Sequence, residues 1–122
     1  MLKAYQNKDI KIIRVYGDDA NEYLNNIVTN NTDEVNVSNT IYSCLLTPQG
    51  KFIADFFISY FDDSFFLLTN SKFHNDLIKG LNFYKLRSKI KIEDADKLYR
   101  CFFIPNNNYN IFFGSDKIVL GQ

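Results

Sequence analysis

Asp55 is the residue of this chain with the clearest chemical potential. It stands in the run from Phe52 to Tyr60, which is otherwise dominated by apolar and aromatic residues. Aspartate is depleted in strands, and a half-buried carboxylate needs hydrogen-bond partners. Strand alternation sets Asp55 on the same face as Ile53 and Phe57. Counting outward from a turn that pairs Thr47 with Gly50 places Tyr42 directly opposite Asp55. Counting back from a turn that pairs Phe61 with Ser64 places Asn70 opposite it on the other side. Tyr42, Asp55 and Asn70 then form a row across three strands. Directly opposed side chains lie roughly 5 Å apart at Cβ, close enough to contact one ligand together. A one-residue bulge would break the row. The same residues could equally form a self-satisfied polar cluster on a solvent-facing sheet.

Other residue types carry less. His74 is the only histidine. It falls beside an apolar helical stripe, and a metal site needs more ligands than one imidazole supplies, so it is expected to be a surface or partly packed residue and no metal site is expected. Cys44 and Cys101 are far apart and form no CxxC. They are expected to be two partly buried thiols in a cytoplasmic protein, without a disulfide framework. The glycines form neither a GxGxxG nor a GxxxxGK[ST] phosphate loop. No catalytic motif stands out. The charges of Lys85–Lys97 read as a solvated face.

The elements that must position Asp55 follow from periodicity. Lys11–Tyr16 is β-rich, and Gly17 ends it. Asp19 followed by Glu22 is a capping-box pattern, and Ala20, Tyr23, Leu24 and Ile27 form one apolar stripe of a helix over Asp19–Val28. The polar Thr29–Glu34 is a loop. Thr40–Leu46, Lys51–Tyr60 and Ser64–Thr69 are strands. Thr47-Pro48-Gln49-Gly50 joins the first two, with proline presetting the second turn position, and Asp62-Asp63 joins the next two. A second helix covers Lys72–Tyr84, with Phe73, Leu77, Leu81 and Tyr84 as its buried stripe and Gly80 as a weak point. Lys89–Ile92 reads as a half-exposed strand. Tyr99–Ile104 and Asn110–Phe113 read as a final hairpin around Pro105–Tyr109. The order predicts an α+β fold, a mainly antiparallel sheet with two helices packed on one face.

Composition bounds the rest. The 122 residues suit a single domain. Lys and Arg number 14, as do Asp and Glu, so the formal net charge is zero. That leaves no basic excess for a nucleic-acid backbone, and no direct nucleic-acid partner is expected. No apolar run is long enough to span a bilayer, and Met1–Lys11 has no apolar core of a secretory signal.

Three segments together resemble the YgfZ-type folate-binding family, which is related to the T-protein of the glycine cleavage system. Leu46-Thr47-Pro48-Gln49-Gly50-Lys51, continuing through Ala54-Asp55-Phe56, resembles the family's LTPQGK…DF hairpin. Tyr23 to Asn31 resembles its FLQGxxTND segment. Tyr84 to Ile90, with Ile92-Glu93-Asp94, resembles its YxLRxKVxIED segment. The order and spacing fit over roughly residues 10–95.

The resemblance implies an amino-terminal folate-binding domain over residues 1–122, incomplete because the family's KGCYxGQE segment does not occur in it. It implies tetrahydrofolate as cofactor, with Tyr42, Asp55, Thr69 and Asn70 where T-proteins contact folate. It further implies support of iron–sulfur cluster assembly or repair, with iron–sulfur proteins as partners and effects on tRNA modification. Ala54 stands where T-proteins carry the first of two aspartates, which favours a non-enzymatic accessory protein over a tetrahydrofolate-dependent aminomethyltransferase. A degenerate fragment that binds no folate is the third reading. Where the family's later segments would pack, an uncovered apolar patch is expected, with self-association or marginal stability as its consequence.

Overall fold

The computed structural model describes residues 5–6, 8–36, 39–103, 111–114 and 119–121. The elements are β1 (Tyr5–Gln6), β2 (Ile10–Tyr16), α1 (Ala20–Ile27), β3 (Ile41–Leu46), β4 (Phe52–Phe61), β5 (Ser64–Asn70), α2 (His74–Lys85), β6 (Lys91–Asp94), β7 (Arg100–Phe103), β8 (Ile111–Gly114) and β9 (Val119–Gly121). Single 3-10 turns at Thr32–Glu34 and Ser71–Phe73 interrupt the connections. A five-stranded sheet has the order β3-β4-β5-β2-β6, and a four-stranded sheet has the order β1-β7-β8-β9. Every pairing is antiparallel. The α+β class expected from the sequence is borne out.

Both helices pack on one face of the five-stranded sheet. Ala20, Tyr23 and Leu24 of α1 and Leu77 and Leu81 of α2 are buried against Ile13, Val15, Ile41, Leu45, Ala54, Phe56, Ile58, Phe65 and Leu67. Those strand residues recur at every second position, as a sheet with one covered face requires. The opposite face divides in two. Over β2, β5 and the end of β4 it is buried around Ile12, Phe61, Phe66, Leu68 and Ala95, with Tyr99 packed against them. Over β3 and the first part of β4 it is open, and Tyr42 and Phe57 are exposed there.

The Asp62-Asp63 turn forms as expected. Both aspartates take positive φ, 52° and 57°, the backbone hand that matches a two-residue hairpin to strand twist. The final hairpin forms as β7 and β8, while Ile104 to Asn110, including the expected turn, lies outside the described residues.

Three expectations need correction. The capping box does not form: Asp19 makes no side-chain bond to its own helix, because its carboxylate accepts from the Lys89 amide at 2.7 Å. Gly80 is a contact point rather than a weak point. A Cβ there would lie 2.7 Å from the Leu45 Cδ2 atom, so the missing side chain lets α2 approach the sheet closely. The third concerns register and belongs to the site itself.

Candidate functional site

The turn between β3 and β4 carries a bulge. Pairing runs Tyr42 with Phe57, Ser43 with Phe56, Cys44 with Asp55 and Leu45 with Ala54, then shifts to Leu46 with Phe52. Two steps separate this register from simple counting: the Thr47 amide bonds to the Lys51 carbonyl at 2.7 Å, so the turn pairs Thr47 with Lys51 rather than Gly50, and the one extra residue on β4, Ile53, adds the second. Asp55 therefore faces Cys44, and Tyr42 lies diagonal to it. The bulge also turns Ile53 toward the helix-side core, away from the face of Asp55 and Phe57. On β5 the expected turn register holds, from Phe61 with Ser64 to Phe56 with Thr69. The ladder ends one step before Asp55 would meet Asn70, which pairs with Ile10 of β2 instead.

Tyr42 and Asp55 nevertheless meet. Diagonal neighbours on one sheet face are roughly 7–8 Å apart, about the reach of an aromatic side chain. The Tyr42 hydroxyl donates to Asp55 Oδ2 at 2.6 Å. Its ring packs on Phe57 with centroids 5.5 Å apart and tilted by 59°. Tyr42 is 50% exposed and Phe57 40%. The hydrogen bond to the Asp55 carboxylate is the main reason the Tyr42 phenol is pushed up to about 12. Among the described residues none donates to Asp55 Oδ1, so one acceptor oxygen remains for an incoming N–H. An aromatic surface beside a single fixed anionic acceptor suits a flat, nitrogen-bearing ring.

The other expected residues are placed differently. Thr69 is buried on the helix side, and its hydroxyl donates to the Asp55 carbonyl at 2.9 Å. It steadies the Asp55 backbone and is turned away from the open face. The Asn70 side-chain oxygen accepts from the Lys72 amide at 3.0 Å and caps the turn that leads into α2. Phe57 is the ring that counting missed as a ligand surface, although alternation already set it beside Asp55. Cys44 is a half-buried free thiol, and the side chain of Cys101 lies outside the described residues.

The asparagines of the first resemblance segment hold their own loop. Asn25 accepts from the Thr32 amide at 3.1 Å, Asn31 accepts from the Asp33 amide at 2.9 Å, and Asn30 donates to the Tyr42 carbonyl at 3.1 Å. With Thr29, whose amide donates to the Cys44 carbonyl at 3.1 Å, this loop covers the outer edge of β3 and fixes the strand that carries Tyr42.

Clefts lie elsewhere on the described residues, one of them of about 350 Å³ between Tyr16–Asp18 and Lys89–Lys91. A groove of about 610 Å³ runs between the Thr47–Gln49 turn and α2, lined by Phe52, Phe83 and Tyr84 among others. A polar cleft of about 570 Å³ lies at the far end of the sheet, around Arg14, Tyr16, Tyr60 and Asp62. None of these contains Tyr42 or Asp55, and the exposed rings of Tyr42 and Phe57 lie on an open sheet face. His74 is half-buried, with Nε2 3.6 Å from Asp94 Oδ2. Among the described residues no group of three or more His, Cys, Asp or Glu is arranged to hold a metal ion. No helix among them is long and apolar enough to cross a membrane.

The chain is similar to known proteins in both sequence and fold. Residues 6–104 match the family model of the GCVT N-terminal domain. A mitochondrial iron-sulfur cluster assembly factor IBA57 homolog of Neurospora crassa is 32% identical over 101 residues, covering 76% of this chain and 23% of that protein. An aminomethyltransferase of Nitrosomonas europaea is 32% identical over 57 residues, covering 46% of this chain and 16% of that protein. The fold is similar to that of the glycine cleavage system aminomethyltransferase T from Bartonella henselae, with a TM-score of 0.70 and 14% identity over 93% of this chain and 29% of that one. At that identity the likeness is one of fold. The chain spans less than a quarter of the length of these two curated relatives.

Proposed function

This chain belongs to the GCVT N-terminal domain family, and on that premise we propose that the open sheet face around Tyr42 and Asp55 binds tetrahydrofolate, in an accessory protein of iron–sulfur cluster assembly or repair. The observation that carries the reading is the pairing of the Tyr42 hydroxyl with Asp55 at 2.6 Å beside the exposed Phe57 ring. Tetrahydrofolate offers a reduced pterin with a flat pyrimidinone ring and N–H donors, and supplies an amine nitrogen that carries a one-carbon unit. The Tyr42 and Phe57 rings fit the flat surface. Asp55 Oδ1 fits an N–H donor, in a charge-assisted bond stronger than a neutral one. Asn70, at the end of the neighbouring strand, lies at the border of the same face, and Thr69 contributes by fixing the Asp55 backbone.

The iron–sulfur role is supported by the similarity to the Neurospora crassa assembly factor. Iron–sulfur proteins are then the partners, and effects on tRNA modification follow through cluster-dependent enzymes, with no contact to RNA by this chain. We place the protein in the cytoplasm and take residues 1–122 as an amino-terminal folate-binding unit. The second reading, an aminomethyltransferase, is supported by the similarity to the Nitrosomonas europaea enzyme. Ala54 weighs against it. The residue is fully buried in the helix-side core, so this chain presents one carboxylate at that point of the strand rather than two.

The test is a tetrahydrofolate titration of the wild type and Asp55→Ala by NMR shift mapping. An open face gives weak binding, with a dissociation constant on the order of 0.1–1 mM, or about 4–5.5 kcal/mol. Asp55→Ala should remove roughly 1–3 kcal/mol of that and abolish detectable binding, while the spectrum stays that of a folded protein. Equal binding by both proteins, or shifts clustered away from Tyr42, Asp55 and Phe57, would overturn the site. Methylene transfer to an amine acceptor by the wild type would favour the second reading.

A further inference from the structure

The five-stranded sheet has two edges, and they are treated differently. The β3 edge is covered by the Thr29–Asn30 loop. The β6 edge pairs with β2 on one side, and among the described residues no strand pairs with its other side. An uncovered edge offers alternate backbone N–H and C=O groups to any strand that can approach.

Charge around this edge is divided. Lys85, Arg87, Lys89 and Lys91 precede or open the strand with no acidic residue among them. Arg87, Lys89 and Lys91 are exposed, and none of the four makes an ion pair among the described residues. Glu93 follows on the same face as Lys91, two positions along. Two large apolar side chains flank the strand in solvent: Leu86 is 87% exposed and Leu98 59%. Leu86 is also held at φ 46° and ψ −117°, an unfavourable conformation for a branched side chain.

We propose that β6 is a self-complementary edge at which two copies of this chain pair antiparallel, joining their sheets across a two-fold axis. Symmetry restricts the register. A two-fold axis normal to the sheet keeps each side chain on its own face, so a residue at the centre must face its own copy. Centring on Lys91 sets Lys91 against Lys91 of the partner subunit, and centring on Glu93 sets two glutamates together. Both place like charges directly opposite, which is destabilising. Centring on Ile92 faces Ile92 with its copy and sets Lys91 against Glu93 of the partner subunit twice over. In that register the four strand residues Lys91 to Asp94 carry the pairing, and the like-charged Lys89 lies outside the strand, beyond its paired positions. Glu93 already accepts from Arg14 at 3.2 Å and Tyr16 at 3.4 Å, which holds its carboxylate in place, and a carboxylate retains acceptor sites for a further cation.

Sedimentation velocity of the full chain across a concentration series tests this. The wild type should show a reversible monomer–dimer equilibrium that weakens as salt rises. Lys91→Glu and Glu93→Lys should each be monomeric, with self-association weakened by at least about tenfold, because each sets like charges opposite one another. An equimolar mixture of the two should dimerise again, since both cross-strand pairs then set a glutamate against a lysine. The chain carrying both substitutions should also dimerise. Lys91→Glu changes an exposed side chain, and circular dichroism of both variants checks that they remain folded. A monomeric wild type would overturn the proposal. So would a dimer that survives Lys91→Glu, which would point to another surface such as the Phe52–Phe83 groove, or two folded variants that do not recombine. Folate binding is read separately, so either proposal can fail alone.

Discussion

Tyr42 donates its hydroxyl hydrogen to a carboxylate. Ionising the phenol would remove a charge-assisted bond and set a second negative charge beside the first. Its titration therefore reports on Asp55. The phenol is raised from 10.0 to about 12, chiefly by that bond, so the folded state favours the neutral ring. The contribution to stability is fully present below about pH 10 and is lost as pH rises through about 12. Asp55→Asn removes the neighbouring charge, and phenolate absorbance should show one tyrosine moving back toward an ordinary value of about 10. A titration curve unchanged by the substitution would mean that the two groups do not meet in solution. Tyr60 is raised in the same direction by Asp63 and serves as an internal control, since Asp55→Asn should leave it alone.

At the scale of elements, the helices and strands owe their relative placement to a few close approaches. Gly17 ends β2 at φ 123°, and a Cβ there would lie 2.5 Å from the Lys89 carbonyl oxygen. That oxygen belongs to the backbone and cannot rotate away, so Gly17→Ala combines strain with a clash. The expected cost is about 2–3 kcal/mol, read as a lowered midpoint in urea denaturation. The loss should carry the α1 entry with it, because the Asp19 amide and carboxylate both bond to Lys89 across the same junction. A variant with an unchanged midpoint would show that β2 ends differently in solution.

Among the described residues, two apolar layers pack on opposite faces of the five-stranded sheet. The helix-side layer is the larger. The smaller layer stacks Phe61 on Phe66 with centroids 4.3 Å apart, and Tyr99 meets both rings edge-on at 5.8 and 4.8 Å. Through Tyr99 it ties the five-stranded sheet to the chain that leads into β7. Phe66→Ala empties the middle of this stack and should cost about 3–5 kcal/mol, as large-to-small changes at fully buried aromatic sites do. If Phe66 were peripheral, the loss would stay below about 1 kcal/mol, the range of surface changes. The zero net charge matters at this scale too. Without a net charge to keep copies apart, association is set by local pattern, and the pattern at β6 is self-complementary.

Local chemistry by itself determined much of this protein. Apolar spacing in Ala20–Ile27 and in Leu77–Tyr84 specified two helices, and alternation specified the meander of β3, β4 and β5, because these signals depend only on near neighbours. The single carboxylate in β4, and the open-face position of Tyr42 and Phe57 near it, were legible for the same reason. What only the tertiary structure decided were matters set by residues far apart in sequence. The Thr47–Lys51 pairing at the turn and the bulge at Leu45 and Leu46 each moved the register by one, taking Asp55 from Tyr42 to Cys44, since turn residues fix a loop but not where an extra residue is absorbed. Asp19 left its helix for Lys89, 70 positions away, where a backbone amide competed for the same carboxylate. Gly80 became a contact because α2 lies over Leu45. Thr69 faced inward by parity, but its hydroxyl found the Asp55 carbonyl only once β4 and β5 were paired.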